Sequence, residues 1–319
     1  MVKTIYDSLK RDVNRIYDTI IIGSGPAGLT AAIYSSRSSL KTLVIGGVVA
    51  GGQLMLTREV EDYPGFPEAI LGPELVSRMR KQVERFGAEV INGDVIKTDF
   101  SKRPFKVSTS KSQYLARSVI IATGASAKWL GLPSEKRLIG KGVSACAVCD
   151  GPFFKNKKVA IVGGGDSAMK EALFLSKIAR EVLIIHMLEK LNAFKANQEK
   201  AASLPNVQIT FNTVVEEVLG KEKVEGVRVK NTKTGEIKEI NLDALFVAIG
   251  YNPSTKFLVG QVDLDKRGFI VVRDETRTSV PGVFAAGDVS DPVYQQAITA
   301  AAAGCRSAMG AESFLENEK

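Results

Sequence analysis

YDTIIIGSGPAGLTAAIYSSRSSLKTLVIG, residues Tyr17–Gly46, decides the fold: an apolar strand, a glycine turn, a helix with small residues on its inner face and a second apolar strand follow one another. This is the start of a βαβ unit. Glycines permit the tight turn and let a pyrophosphate approach the helix N-terminus, whose free N–H groups and dipole favour anions. One such turn is weak evidence, but the same plan returns in KVAIVGGGDSAMKEALFLSKIAREVLIIH, residues Lys158–His186. The copies align without a gap, Gly23 on Gly163 and Gly46 on His186, at a constant offset of 140 residues. Two glycine turns in register, each between a strand and a helix, predict two nucleotide-binding domains.

The ends of the copies correspond as well. SVIIATGA (Ser118–Ala125) and DALFVAIGY (Asp243–Tyr251) both read as a buried strand closing at a glycine. After the second copy, TSVPGVFAAGDV (Thr278–Val289) reads as a strand ending in Gly287 and Asp288, followed by the helix-like QQAITAAAAGCRSAM. The expected fold class is therefore α/β, with two doubly wound Rossmann-like domains, the second inserted in the first. Residues 1–127 and 254–319 form the first domain, completed by the C-terminal tail, and residues 128–253 form the second.

Composition narrows the function classes. The chain has 319 residues, 45% hydrophobic and 24% charged, enough for two sizeable cores. No apolar run approaches the roughly 18 residues that span a bilayer. The opening MVKTIYDSLKRDVNRIYD, with Asp7, Asp12 and Asp18, is unlike a signal or transit peptide, so a cytoplasmic location is expected. The net charge of +8 is spread among acids except at Lys155, Lys157 and Lys158, and no nucleic-acid reader motif accompanies it. Nucleic acid and membrane are thus not expected partners, although the charge suits an acidic protein.

Two of the three cysteines lie in SACAVCDGP, Ser144–Pro152. Three cysteines cannot build a secreted disulfide framework, so this close pair points to redox or metal chemistry in a reducing compartment. Cys146, Cys149, Cys305 and His186 supply the count for a zinc site. Their spacing argues against it, because Cys305 and His186 are isolated rather than a second close pair, and no metal is expected. Cys305, on an alanine-rich helix, reads as a buried small hydrophobe.

GSGPAG, AGGQL, ATGASAK, SACAVCDG, VGGGDSA and SVPGVFAAGDV, in this order and over almost the whole chain, resemble the low-molecular-weight thioredoxin reductases, which are flavoprotein disulfide reductases. The resemblance implies bound FAD, an electron path from a reduced donor to a thioredoxin-like protein, and a homodimer. Matched motif by motif, it places FAD against Gly23, Ser24, Gly25, Pro26, Ala27 and Gly28, and against Gly51, Gly52, Gln53 and Leu54. Thr123 and Gly124 of ATGASAK join the same set. Asp62 stands where the family has asparagine, and Val95 matches the position whose backbone meets adenine. Gly287 and Asp288 fall in the motif whose aspartate bonds the ribityl chain. The helix beginning near Gln295, Gln296 and Ala297 aims its amides at the flavin pyrimidine, where partial positive charge favours the reduced ring. Gln295 replaces the arginine of the family's RQA.

The resemblance also assigns the cysteines. Cys149 faces the flavin, Cys146 is the interchange thiol that attacks the protein substrate, and Asp150 donates and accepts the proton. A turn or helix-cap role is the plainer reading of Asp150. The competing non-enzymatic reading is a degenerate flavoprotein that senses or scaffolds.

The donor site departs from the family. Gly163, Gly165, Asp166, Ser167 and Ala168 keep the pyrophosphate turn, but NADPH-using members carry HRRxxxR where this chain has HMLEKLN. Met187, Leu188 and Asn192 stand at the arginine positions. His186 occupies the strand end where an NADH site places Asp or Glu, so neither signature is present. His186 either stacks on an adenine or caps its strand. Reduction by NADPH, NADH or an unconventional reductant, such as ferredoxin or a reduced deazaflavin, is left open.

Overall fold

Strand runs rich in Ile and Val, alternating with glycine-started helices, fold as parallel sheets covered on both faces. The computed structural model describes residues 15–47, 50–57 and 59–318; the segment read as unlike a leader lies, up to residue 14, outside them. The chain divides into two compact units, Met1–Ser126 with Asn252–Lys319, and Ala127–Tyr251. These crossings stand one to two residues before the expected boundaries.

In the discontinuous unit, four parallel strands are ordered Glu89–Ile91, Thr42–Ile45, Ile16–Ile22, Gln113–Ile121. The last of these is long enough to serve two neighbours on one edge. Its start pairs antiparallel with Phe105–Thr109 and its end pairs parallel with Val283–Ala285. Side chains alternate between faces: Ile21, Val44, Ile120 and Phe284 pack in one core, whereas Ile20, Leu43, Ile121 and Ala285 pack in the other. The helices Pro26–Arg37 and Ala297–Glu316 cover the first face. They meet through small residues, since a Cβ on Gly304 would stand 2.1 Å from the Ala27 carbonyl oxygen. The expected strand end at Gly287 and Asp288 is corrected: the strand closes at Ala285, and Gly287–Val289 is a short 3-10 turn.

The continuous unit repeats the arrangement. The five strands of its main sheet are all parallel, ordered Val143–Ser144, Ala244–Val247, Lys158–Val162, Glu181–Ile185, Val207–Thr210. One face, with Ile161, Ile184 and Phe246, packs on the helix Asp166–Leu175 and on Ala147 of the cysteine turn. The other face packs on a three-stranded antiparallel sheet, Thr213–Leu219, Gly226–Asn231 and Ile237–Asn241. Among the described residues no helix is long and apolar enough to cross a membrane.

Candidate active site

The first glycine turn is built by backbone contact. Gly23 has φ +118°, and a Cβ there would stand 2.1 Å from the Ala122 carbonyl oxygen; one on Gly28 would stand 2.0 Å from the Gly23 oxygen. Only glycine fits either position. The Ser24 hydroxyl donates to the Gly46 oxygen at 2.8 Å and accepts from the Gly51 amide at 3.0 Å, tying the turn to a second loop. Gly51 and Gly52 both have positive φ, and a Cβ on Gly52 would lie 3.5 Å from the Gly25 Cα. The result is a cradle walled by backbone on two sides. Gln53 Nε2 donates to the Ala125 oxygen at 3.0 Å and Thr123 Oγ1 to the Ser254 oxygen at 3.0 Å, fixing the loops around Gly124. Leu54 packs against the core, Val95 opens an antiparallel strand, and Asp62 is exposed.

Asp288 is half-buried, and desolvation, with Asp291 as a second cause, pushes its carboxyl up to about 7. A ligand hydroxyl donating to that oxygen would favour the ionised form. The helix N-terminus nearby is partly occupied by its own cap. The Gln296 side chain accepts from the Thr299 amide and the Thr299 hydroxyl accepts from the Gln296 amide, so the Ala297 and Ile298 amides are the ones without an intrahelical acceptor. Just before them Gln295 is held at φ +51°, and its buried Nε2 has no hydrogen-bond partner. A dinucleotide with a polar ring fits this donor set: glycine cradle, half-buried acid, free amides and an orphaned side-chain donor.

Cys146 and Cys149 are joined as a disulfide with Cα atoms 5.4 Å apart. The pair spans the one-turn helix Ala147–Asp150, whose N-cap is Cys146 itself. The Cys149 amide donates to Cys146 Sγ at 3.2 Å, and the Asp150 amide donates to the Cys146 oxygen at 3.1 Å. The Cys149 N–H is thus the amide directed at Cys146 Sγ. The Ser144 hydroxyl accepts from the Cys146 amide at 3.0 Å, a local turn bond that the two-residue spacing of Ser144 and Cys146 makes legible. A second support, the Tyr251 hydroxyl donating to the Ala145 oxygen at 2.8 Å, spans 106 residues and carries no sequence signal.

The second glycine turn has the same frame with a different filling. Gly163 has φ +149°, and its Cβ would stand 2.4 Å from the Ala248 oxygen, the counterpart of the Gly23 contact with Ala122. The His186 ring fills the space beside Gly164, where a Cβ would come within 2.3 Å of it. His186 is only 5% exposed, its Nε2 lies 2.9 Å from the Lys190 oxygen, and it meets Phe211 edge to face. The buried ring thus closes its own strand, between Gly164 and Phe211. Asp166 is likewise engaged, its Oδ1 accepting from the Phe194 amide at 2.9 Å and Asn197 Nδ2 at 2.7 Å. Gly165 remains open, since a Cβ there would meet nothing within 4 Å. Ser167 is exposed and Ala168 buried.

Around that opening two of the arginine positions carry exposed apolar side chains. Met187 is 60% exposed and Leu188 45%, with Phe194 at 76% beside them in sequence. The Asn192 amide donates to the Gly164 oxygen at 2.8 Å. Glu189 pairs with Lys233 at 2.6 Å, and the exposed Lys195 with Glu199 at 3.7 Å.

One further group escaped the sequence reading and one reading is corrected. Glu171, on the helix after the second turn, is half-buried with its Oε2 covered and unpaired, and desolvation pushes its carboxyl up to about 8. Cys305 is half-buried rather than buried, with Sγ 4.0 Å from Met309 Sδ. Among the described residues no cluster of three or more His, Cys, Asp or Glu is placed to hold a metal ion.

Residues 17–304 match the family model for pyridine nucleotide-disulphide oxidoreductases. Thioredoxin reductase from Streptomyces coelicolor is 50% identical over 303 residues, 94% of each chain. That from Rickettsia conorii is 48% identical over 301 residues, covering 93% of this chain and 97% of the other. Among solved structures, thioredoxin reductase from Giardia duodenalis superimposes with a TM-score of 0.91 at 42% identity, covering 95% of this chain and all of that one. With this coverage, two Rossmann-like units and a closed disulfide between Cys146 and Cys149, the chain belongs to the thioredoxin reductases, oxidoreductases of the pyridine nucleotide-disulphide family.

Proposed function

We propose that this chain is an FAD-dependent reductase that passes electrons from a reduced donor through the Cys146–Cys149 disulfide to thioredoxin or a thioredoxin-like protein. The observation that carries the reading is the closed disulfide with the Cys149 amide on Cys146 Sγ and Asp150 directly behind. FAD supplies the two-electron chemistry that links a donor to a disulfide. Gly23–Gly28 and Gly51–Leu54 would hold its pyrophosphate end and the Val95 backbone its adenine. Asp288 would accept from its ribityl chain, with Asp62, Thr123, Gly124 and Gly287 beside it. Gln295 and the free amides at Ala297 and Ile298 would face its pyrimidine oxygens.

In the exchange half, the Cys146 thiolate attacks one sulfur of the partner's disulfide. That S–S bond breaks, a mixed disulfide forms, and the departing sulfur takes its proton from Asp150. The Cys149 thiolate then attacks Cys146 Sγ, which closes the ring and releases the partner's second sulfur. Two electrons thereby leave the pair and reduce one partner disulfide.

The donor enters at the second turn, through the opening at Gly165 with the Asp166–Leu175 helix behind it. Met187, Leu188 and Asn192 stand where the family's arginines would clasp a 2′-phosphate, so the site would discriminate weakly between NADPH and NADH, and the donor is NADPH, NADH or an unconventional reductant. We further assign the chain to the cytoplasm, where the pair can be kept reduced, and to a homodimer, for which the exposed Tyr34, Ile298 and Met309 offer apolar surface. Anaerobic stopped-flow reduction with NADPH, NADH, ferredoxin and a reduced deazaflavin, followed by oxidised thioredoxin, tests the path. Release of FMN or of no flavin on acid treatment would refute the cofactor. Failure of the reduced protein to open thioredoxin's disulfide would leave only a sensor or scaffold.

A further inference from the structure

We propose that Tyr251 is a positioning residue for the redox pair, holding the backbone from which Cys146 works; this rests on the reading of Cys146 and Cys149 as the exchanging thiols. The strand before the pair is only two residues long, with Val143 opposite Leu245 and Ser144 opposite Phe246. The ladder ends one residue before Ala145, and the turn that follows is held by local bonds at Ser144 and Cys146. Beyond the partner strand's end at Val247 the chain turns at Gly250, with φ +101°, and returns Tyr251 so that its hydroxyl donates to the Ala145 oxygen at 2.8 Å. One long-range hydrogen bond therefore extends the ladder's grip to the residue that precedes Cys146.

The bond matters most once the disulfide is open. In the closed pair the S–S link itself restrains the turn. In the dithiol, the Cys149 N–H stays on Cys146 Sγ only while the backbone before Cys146 stays in place. Tyr251 thus keeps Cys146 both poised as a thiolate and within reach of Cys149.

The test uses the flavin-loaded protein and Tyr251→Phe, which removes one oxygen. Two quantities are measured by peptide mapping: the pH profile of iodoacetamide alkylation at Cys146, with Cys305 as internal control, and the equilibrium between the closed pair and dithiothreitol. Loss of one neutral hydrogen bond should lower the closing constant about fivefold. The Cys146 profile should move to higher pH while the Cys305 rate, flavin spectrum and thermal midpoint stay put. A structural role alone would move none of the thiol readouts. Gly250→Ala provides a second route: a Cβ there has room, 3.9 Å from Lys128 Cδ, but the left-handed backbone resists it and Tyr251 is displaced with its hydroxyl intact. It should shift both readouts in the same direction. Wild-type behaviour of either variant in either measurement overturns the proposal. A wild-type pair that excess dithiothreitol cannot open would instead sink the thiol-exchange reading itself.

Discussion

The two glycine turns share a frame and differ in what fills it. In both, the amide after the closing strand donates to the first strand at 2.8 Å, Ala122 to Ile22 and Ala248 to Val162. In the first turn the second position is Ser24, and Gly46 leaves it room; in the other that position is Gly164, and His186 takes the room. Ser24 reaches outward to Gly51 and brings a second loop against Gly25, whereas His186 turns inward to Lys190 and leaves Gly165 facing open space. A cradle walled on two sides suits a resident cofactor, and one walled on a single side suits a ligand that comes and goes. A serine and a glycine in one turn, against a glycine and a histidine in the other, account for this difference in filling.

The comparison breaks most sharply at its third small residue. Gly28→Ala drives a Cβ into the Gly23 carbonyl and should cost about 3 kcal/mol with loss of bound flavin. Ala168→Gly, the reverse change in the other unit, should cost only about 1 kcal/mol through helix propensity. Urea denaturation with flavin absorbance measures both; equal costs would mean that the frames are not equivalent.

Asp288 provides the next effect. Its carboxyl is raised to about 7, so in flavin-free protein its contribution to stability is complete below the ordinary carboxylate range and is lost as pH climbs towards 7. The thermal midpoint of the flavin-free protein should therefore fall between pH 5 and pH 8. Asp288→Asn should flatten that slope, stabilise the protein by roughly 2 kcal/mol at pH 8 and weaken FAD binding. Glu171→Gln should act in the same direction in the other unit, without touching FAD. A midpoint that rises with pH would contradict the desolvated-acid account.

The donor site sharpens the comparison at smaller scale. NADPH and NADH should reduce the flavin with efficiencies within about tenfold of each other, less than about 1.4 kcal/mol. Met187→Arg with Leu188→Arg should restore a preference for NADPH of about tenfold or more per arginine, read in stopped-flow. Strong preference for NADPH in the unaltered chain would show that other side chains hold the 2′-phosphate. The smallest effect is expected at Lys195. Its pairing with Glu199 is exposed, so Lys195→Ala should change stability by less than about 0.5 kcal/mol and leave both nicotinamides unaffected.

Much was legible before the structure because it is local. Strand, glycine turn and helix follow one another within thirty residues in each copy, and period, turn chemistry and spacing are properties of neighbours along the chain. The repeat therefore announced two Rossmann-like units, and CAVCD announced redox or metal chemistry, which the family resemblance narrowed to a redox pair. What escaped is long-range. Whether His186 would stack or cap depended on the space that Gly164 leaves across the turn. Nothing local to Asp166 foretold that Phe194 and Asn197 would fold back upon its Oδ1. The desolvation that lifts Asp288 and Glu171, and the hydroxyl that Tyr251 sends 106 residues back to Ala145, exist only after the sheet has brought its strand ends together. Sequence by itself determined which elements form and in what order, since each is stabilised by its own periodicity. Tertiary structure alone decided which polar groups are buried, paired or left waiting, because desolvation and hydrogen bonding depend on who arrives from elsewhere in the chain.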